Sequence, residues 1–161
     1  MTRSVTDVHD YYNELMRQHT SVKVDRTDMT GKFVAATDIV SDRLDWGELA
    51  WISRPSNTGS QQITEALVTL APGFGHDFHK HPRQEEMLYV LSGTLEQWLE
   101  SEKRTLIPGD AVFVHRGVVH ASFNTGTEEA KFLVVLSPCA GEAGYESEEV
   151  AGDPPWNKLR K

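Results

Sequence analysis

From Ile63 to Leu136 the chain is a succession of short β-rich runs broken by glycine and proline turns. The runs Ile63–Leu70, Glu86–Leu91, Thr94–Leu99, Arg104–Ile107, Ala111–Val114, Val119–Phe123 and Phe132–Leu136 alternate with Pro72-Gly73, Ser92-Gly93, Pro108-Gly109-Asp110 and Arg116-Gly117. No helical periodicity lies between them. Many short strands with turn residues at close intervals can bury their apolar faces only as an antiparallel sandwich or barrel. Upstream, Phe33–Val40 and Glu48–Arg54 read as further strands, and Arg54–Ser60 as a loop. Ser4 to Gln18 predicts a short amphipathic helix, with Val8, Tyr11 or Tyr12, and Leu15 on one face and a cap at Ser4 and Asp7. The expected organisation is therefore 1–60 as a helix and extra strands, 61–138 as the barrel, and 139–161 as a tail whose Trp156 and Leu159 clip back onto it.

Composition removes several function classes. A chain of 161 residues is one domain's length, and a net charge of −8 without a Lys/Arg run offers no nucleic-acid footprint. Its longest aliphatic stretch, Phe132 to Leu136, is far too short to cross a bilayer. The first residues lack the apolar core of a secretory signal, and the single cysteine, Cys139, excludes an intrachain disulfide. The expected location is the cytoplasm, with a small molecule as partner and neither nucleic acid nor membrane.

Histidine placement is the informative remainder. Five of the seven histidines (His76, His79, His81, His115 and His120) fall within 45 residues. His79 and His81 are two apart, so on a strand both imidazoles leave the same face. Glu86 has the wrong parity for one continuous strand. Pro82 can break the ladder and reset the register, returning a carboxylate from a new strand to the same interior. His120, on a later β run, can add a ligand from a neighbouring strand. Three neutral imidazoles and a carboxylate suit one divalent transition metal: Fe, Mn, Ni, Cu, Co or Zn.

These residues also resemble a family, the cupins. Gly73, five residues, His79-x-His81, four residues, Glu86, six residues and Gly93 match the first cupin motif in full. Gly109, five residues, His115-x-Gly117, two residues, His120, three residues and Asn124 match the second, with His115 where the family usually has proline. The resemblance implies an all-β, jelly-roll barrel holding a metal in its mouth through His79, His81, Glu86 and His120. Glu85 is the rival carboxylate, and the six-residue distance to Gly93 favours Glu86.

Around that centre, Glu86 is expected to balance the metal's charge and move a proton. His76 is a candidate proton shuttle at the mouth or a solvated turn histidine. Phe74, Phe78, Phe113 and Trp98 are candidates for core or pocket wall, Asn124 for fixing a turn, and Lys80, Arg83 and Arg116 for surface cations or anion contacts. Because the cupin fold hosts many reactions, it does not name one. The leading expectation is a dioxygenase-type enzyme of small organic molecules. The alternatives are an isomerase, decarboxylase or lyase using the metal as Lewis acid, and a non-enzymatic binding cupin. A homodimer is expected on the base rate for twofold pairing.

Overall fold

The computed structural model describes residues 31–160, so the helix expected over Ser4 to Gln18 lies outside the described residues. In chain order the elements are β1 (Val40–Leu44), β2 (Gly47–Ser53), a single helical turn α1 (Pro55–Thr58), β3 (Thr64–Leu70), β4 (Gly75–Lys80) and β5 (Glu85–Ser92). They continue as β6 (Leu95–Leu99), β7 (Glu102–Leu106), β8 (Ala111–Val114), β9 (His120–Asn124), β10 (Ala130–Ser137) and β11 (Glu148–Glu149). Two antiparallel sheets face each other, one ordered β1-β2-β3-β10-β5-β8 and the other β11-β4-β9-β6-β7. This is the all-β, antiparallel two-sheet architecture expected of the turn-punctuated sequence, and it fits the barrel that the motif resemblance implies.

The period-two pattern explains the six-stranded sheet. Along β3, Thr64, Ala66, Val68 and Leu70 are buried, while Glu65, Leu67 and Thr69 are half-buried. Strand β10 repeats the alternation, and the register sets Phe132 opposite Val68 and Val134 opposite Ala66. Their inward side chains join Leu49, Trp51, Leu70, Leu88, Val90, Leu95, Leu106 and Leu136 in the core between the sheets. Each large side chain buried there contributes about 1.5–3 kcal/mol. On the opposite face of the same sheet, Met87, Tyr89, Leu91 and Phe113 are exposed.

The central strand of the five-stranded sheet, β9, is buried on both faces. On β9, His120, Ser122 and Asn124 share one face and Ala121 and Phe123 the other, yet all five residues are buried. Ala121 and Phe123 belong to a second cluster with Phe78, Trp98, Val119 and Val150, against which Trp156 and Leu159 pack. Trp156 stacks on Phe78 at 5.9 Å between ring centroids, and the Arg160 guanidinium lies 3.8 Å from the centre of the Phe123 ring. The tail does clip back onto the sheet.

One expected strand is displaced. The Phe33–Val40 run contains a 3-10 turn at Ala36–Asp38, closed by the Asp38 N–H donating to the Ala35 carbonyl, and pairing begins only at Val40. Thr37 and Asp38 are short polar residues that favour turns over ladders. Strand β1 is exposed along its whole length and is tied to β2 by pairing and by Trp51 Nε1 donating to Asp42 Oδ2 at 2.6 Å.

Gly93 ends β5 with φ of 79°, and a Cβ built there would sit 2.6 Å from the Ala130 Cα. Gly93→Ala therefore combines left-handed strain with overpacking, and we expect a loss of about 2–4 kcal/mol in urea unfolding. A loss below about 1 kcal/mol would mean the β5–β10 approach is looser than described.

Candidate metal centre

Four side chains from three strands converge inside the barrel. His79 lies on β4 and His81 just beyond its end, and both are buried on the inner face, as their spacing requires. Strand β9 runs antiparallel to β4 with His120 directly opposite His79. A bend through Pro82 and Arg83 starts β5 anew, so that Glu86 turns inward while Glu85 and Met87 point away. His79, His81, Glu86 and His120 are exposed by only 4%, 3%, 6% and 1%, and one ligand atom from each lies within 4.8 Å of the other three.

Backbone carbonyls orient all three imidazoles. His79 Nδ1 bonds to the Asp77 carbonyl at 2.7 Å, His120 Nδ1 to the Val118 carbonyl at 3.1 Å, and His81 Nδ1 to the Glu146 carbonyl. A carbonyl only accepts, so each Nδ1 carries the proton and each Nε2 is left for the shared centre. Glu86 Oε2 stands 2.9 Å from His81 Nε2 and 3.2 Å from His120 Nε2. His120 Nε2, although near that oxygen, is buried without a well-angled hydrogen bond. Lone pairs facing one another in a dry interior repel unless a cation stands between them.

The electrostatics agree with that need. Burial pushes the Glu86 carboxyl up, but the adjacent His120 and His81 rings outweigh it and hold the group well below the usual range. For His79, burial first and then the neighbouring His120, His76 and His81 lower the pKa well below the ordinary value, keeping the ring neutral and its Nε2 free. Burial also pulls His120 down, yet the adjacent Glu86 carboxylate, with the Val118 carbonyl, raises it overall. Positive charge is thus favoured between His120 and Glu86, where a metal ion would replace a proton. The donor set fits a divalent transition metal.

The centre opens into a narrow cleft with a cavity volume of about 30 Å³. Leu49, Val68, Phe132, Val134 and Leu136 form its apolar wall, and Trp46, His76, Ser122 and Tyr145 its remaining edge. The β4–β9 register shifts between His76 and His79, so two residues of opposite parity both reach the cleft. The His76 ring stacks on Trp46 at 4.2 Å and on His79 at 3.6 Å, and its Nε2 lies 3.1 Å from Glu149 Oε1. His76 therefore lines the mouth and is not a solvated turn residue.

Other candidates lie elsewhere. Phe78 and Trp98 belong to the outer core, and Phe74 and Phe113 are exposed, so none of the four builds the cleft wall. His115 is exposed and lies 3.6 Å from Glu85, outside the centre. Lys80 pairs with Glu148 at 2.9 Å, Arg83 pairs with Glu146, and Arg116 is exposed. Asn124 fixes a turn as expected, donating to the Leu70 and Glu128 carbonyls and accepting from the Gly126 N–H.

Sequence reasoning missed Tyr145, Glu146 and Glu149, which the tail brings to the site. Tyr145 lines the cleft 5.3 Å from the His81 ring, and burial, reinforced by the Glu86 charge, raises its phenol so that it stays protonated. No spacing rule marks these residues, because they lie beyond both histidine motifs. The only hint was the apolar pair Trp156 and Leu159, which implied that the tail returns.

Cobalt(II) or zinc(II) titration of the purified protein should show one site per chain. His120→Ala should weaken it at least tenfold with the β-rich circular dichroism retained, and Glu85→Ala should bind as the parent does. Full affinity in His120→Ala, or a loss confined to Glu85→Ala, would contradict this arrangement.

Known proteins resemble this chain in sequence and fold. Residues 66–136 match the family model described as the cupin domain. "Polyketide synthase CurC" of Streptomyces cyaneus is 30% identical over 112 residues, covering 70% of this chain and 73% of that protein. "Pectin degradation protein KdgF" of Dickeya dadantii is 33% identical over 96 residues, 59% of this chain and 86% of its own length. Among solved structures, KdgF from Halomonas sp. superposes with a TM-score of 0.62 at 22% identity, covering 70% of this chain and 98% of that one. With its two sheets, its buried His/Glu cluster and these relatives, the chain belongs to the cupin family.

Proposed function

We propose that the protein is a metal-dependent enzyme of a small organic molecule, working by Lewis-acid and proton-transfer chemistry of the isomerase, lyase or decarboxylase kind. The observation that carries this reading is the set of protic side chains beside the four-residue centre: Tyr145 and the His76–Glu149 pair. His79, His81, His120 and Glu86 would hold the metal, which when bound supplies Lewis acidity toward a substrate oxygen. Glu86 lowers the net charge of the centre. The Tyr145 hydroxyl is a proton donor at the cleft, and His76, oriented by Glu149, presents an imidazole at the mouth. Leu49, Val68, Phe132, Val134 and Leu136 exclude water from the opposite side. A relative named for pectin degradation and another for polyketide synthesis support oxygen-rich small molecules as substrates.

A dioxygenase is the second reading, favoured by that apolar wall, since oxygen chemistry needs a dry pocket beside a redox-active ion. Two copies would pair through the exposed Met87, Tyr89, Leu91 and Phe113. The experiment is turnover of pectin-derived sugar acids and of phenolic or diketone compounds by zinc- and iron-loaded protein, with and without oxygen. Turnover by the zinc form under strict anaerobiosis, lost in His79→Ala, is expected. Turnover only by the iron form, with matched oxygen uptake, would overturn the Lewis-acid reading in favour of the dioxygenase. Tight binding without turnover would overturn both in favour of a binding cupin.

A further inference from the structure

The loop joining the two ligand strands grips one residue of the tail, Glu146, in three ways. The His81 Nδ1–H donates to its carbonyl, the Gln84 Oε1 accepts its N–H at 2.9 Å, and the Arg83 guanidinium pairs with its carboxylate. Gln84 is 1% exposed and also donates from Nε2 to the Pro138 carbonyl at 2.8 Å and the Gly144 carbonyl at 3.0 Å. One buried amide thus has both its ends satisfied by the backbone of residues 138–146. The arrangement at Gly144 is tight: its carbonyl also accepts from Thr64 Oγ1 at 2.6 Å, and with φ of 78° a Cβ there would meet Pro55 at 2.4 Å.

Resting on the metal reading above, we propose that Gln84 is a positioning residue for the ligand His81, acting through the backbone of Glu146. The imidazole of His81 has no orienting partner within its own strand. Its neighbours differ: His79 uses the Asp77 carbonyl and His120 the Val118 carbonyl, each two residues back in the same segment. His81 instead reaches 65 residues along the chain, so its tautomer and ring angle depend on where the tail lies. Gln84 sets that position from the interior, by three hydrogen bonds that leave no polar atom of the amide unpaired. The Arg83–Glu146 pair is bidentate but lies outside, with the arginine side chain 64% exposed, so water screens it and it holds the Glu146 side chain, not the backbone carbonyl that His81 uses. The buried amide, not the surface ion pair, carries the positioning.

The test uses the full chain. Cobalt(II) affinity is measured by chelator competition on the parent, Gln84→Met, Gln84→Glu and Arg83→Ala. The His81 ring protons are followed by imidazole nitrogen NMR in the metal-free protein, a readout independent of loading. Gln84→Met should weaken cobalt about tenfold or more and abolish the protected His81 Nδ1–H signal, leaving those of His79 and His120 in place. Gln84→Glu, which keeps the acceptor for the Glu146 N–H, should fall between it and the parent, and covers the case in which Gln84→Met does not fold. Arg83→Ala should bind within about twofold of the parent. Absence of cobalt binding by the parent would count against the metal reading alone, since the NMR signal still tests the positioning. An intact His81 signal in Gln84→Met and Gln84→Glu, or a loss in Arg83→Ala as large as theirs, would overturn the proposal.

Discussion

The antiparallel pairing that sets His79 opposite His120 is the contact on which the centre depends. It brings two imidazoles from distant sequence positions to one point with a 4.2 Å ring separation, and the two-residue step to His81 adds a third. A one-residue slip between β4 and β9 would send His120 to the outer face and Ala121 inward. Register is protected by burial on both sides: His120 and Ser122 face the cleft, while Ala121 and Phe123 are locked against Phe78 and the returning tail. Energy from the outer cluster thereby maintains the geometry of the inner one.

Much of this was legible in the sequence, for reasons specific to each element. Alternation in β3 and β10 reports a sheet with one face in the core, and the burial patterns follow it residue by residue. His79, His81 and Glu86 were readable because strand parity and a proline break are local rules. Which of core and pocket wall the aromatic side chains build was not. Phe78 and Trp98 have the hydrophobicity of pocket residues, but parity alone does not say that the outer face of their sheet is covered by Val150, Trp156 and Leu159. The wall is built instead from Leu49, Val68, Phe132, Val134 and Leu136 on the facing sheet. Likewise, His76 reaches the cleft only because of a register shift that no composition signal marks.

The tail changes the account of what the site is. Residues 145–149 supply a phenol at the cleft, the carbonyl that orients His81, and the carboxylate paired with His76. A barrel with the two histidine motifs alone would have the ligands without these three contacts. The surroundings, more than the fold, therefore bear on the reaction, with an apolar wall on one side of the centre and protic groups on the other.

The central claim is that three imidazoles and one carboxylate converge to hold a single ion. X-ray absorption at the metal edge of the zinc-loaded protein tests it most directly. The account predicts a first shell of nitrogen and oxygen only, near 2.0–2.1 Å, with the outer-shell scattering of three imidazoles. A sulfur scatterer near 2.3 Å, which would implicate Cys139, or scattering from fewer than three imidazoles, would contradict it.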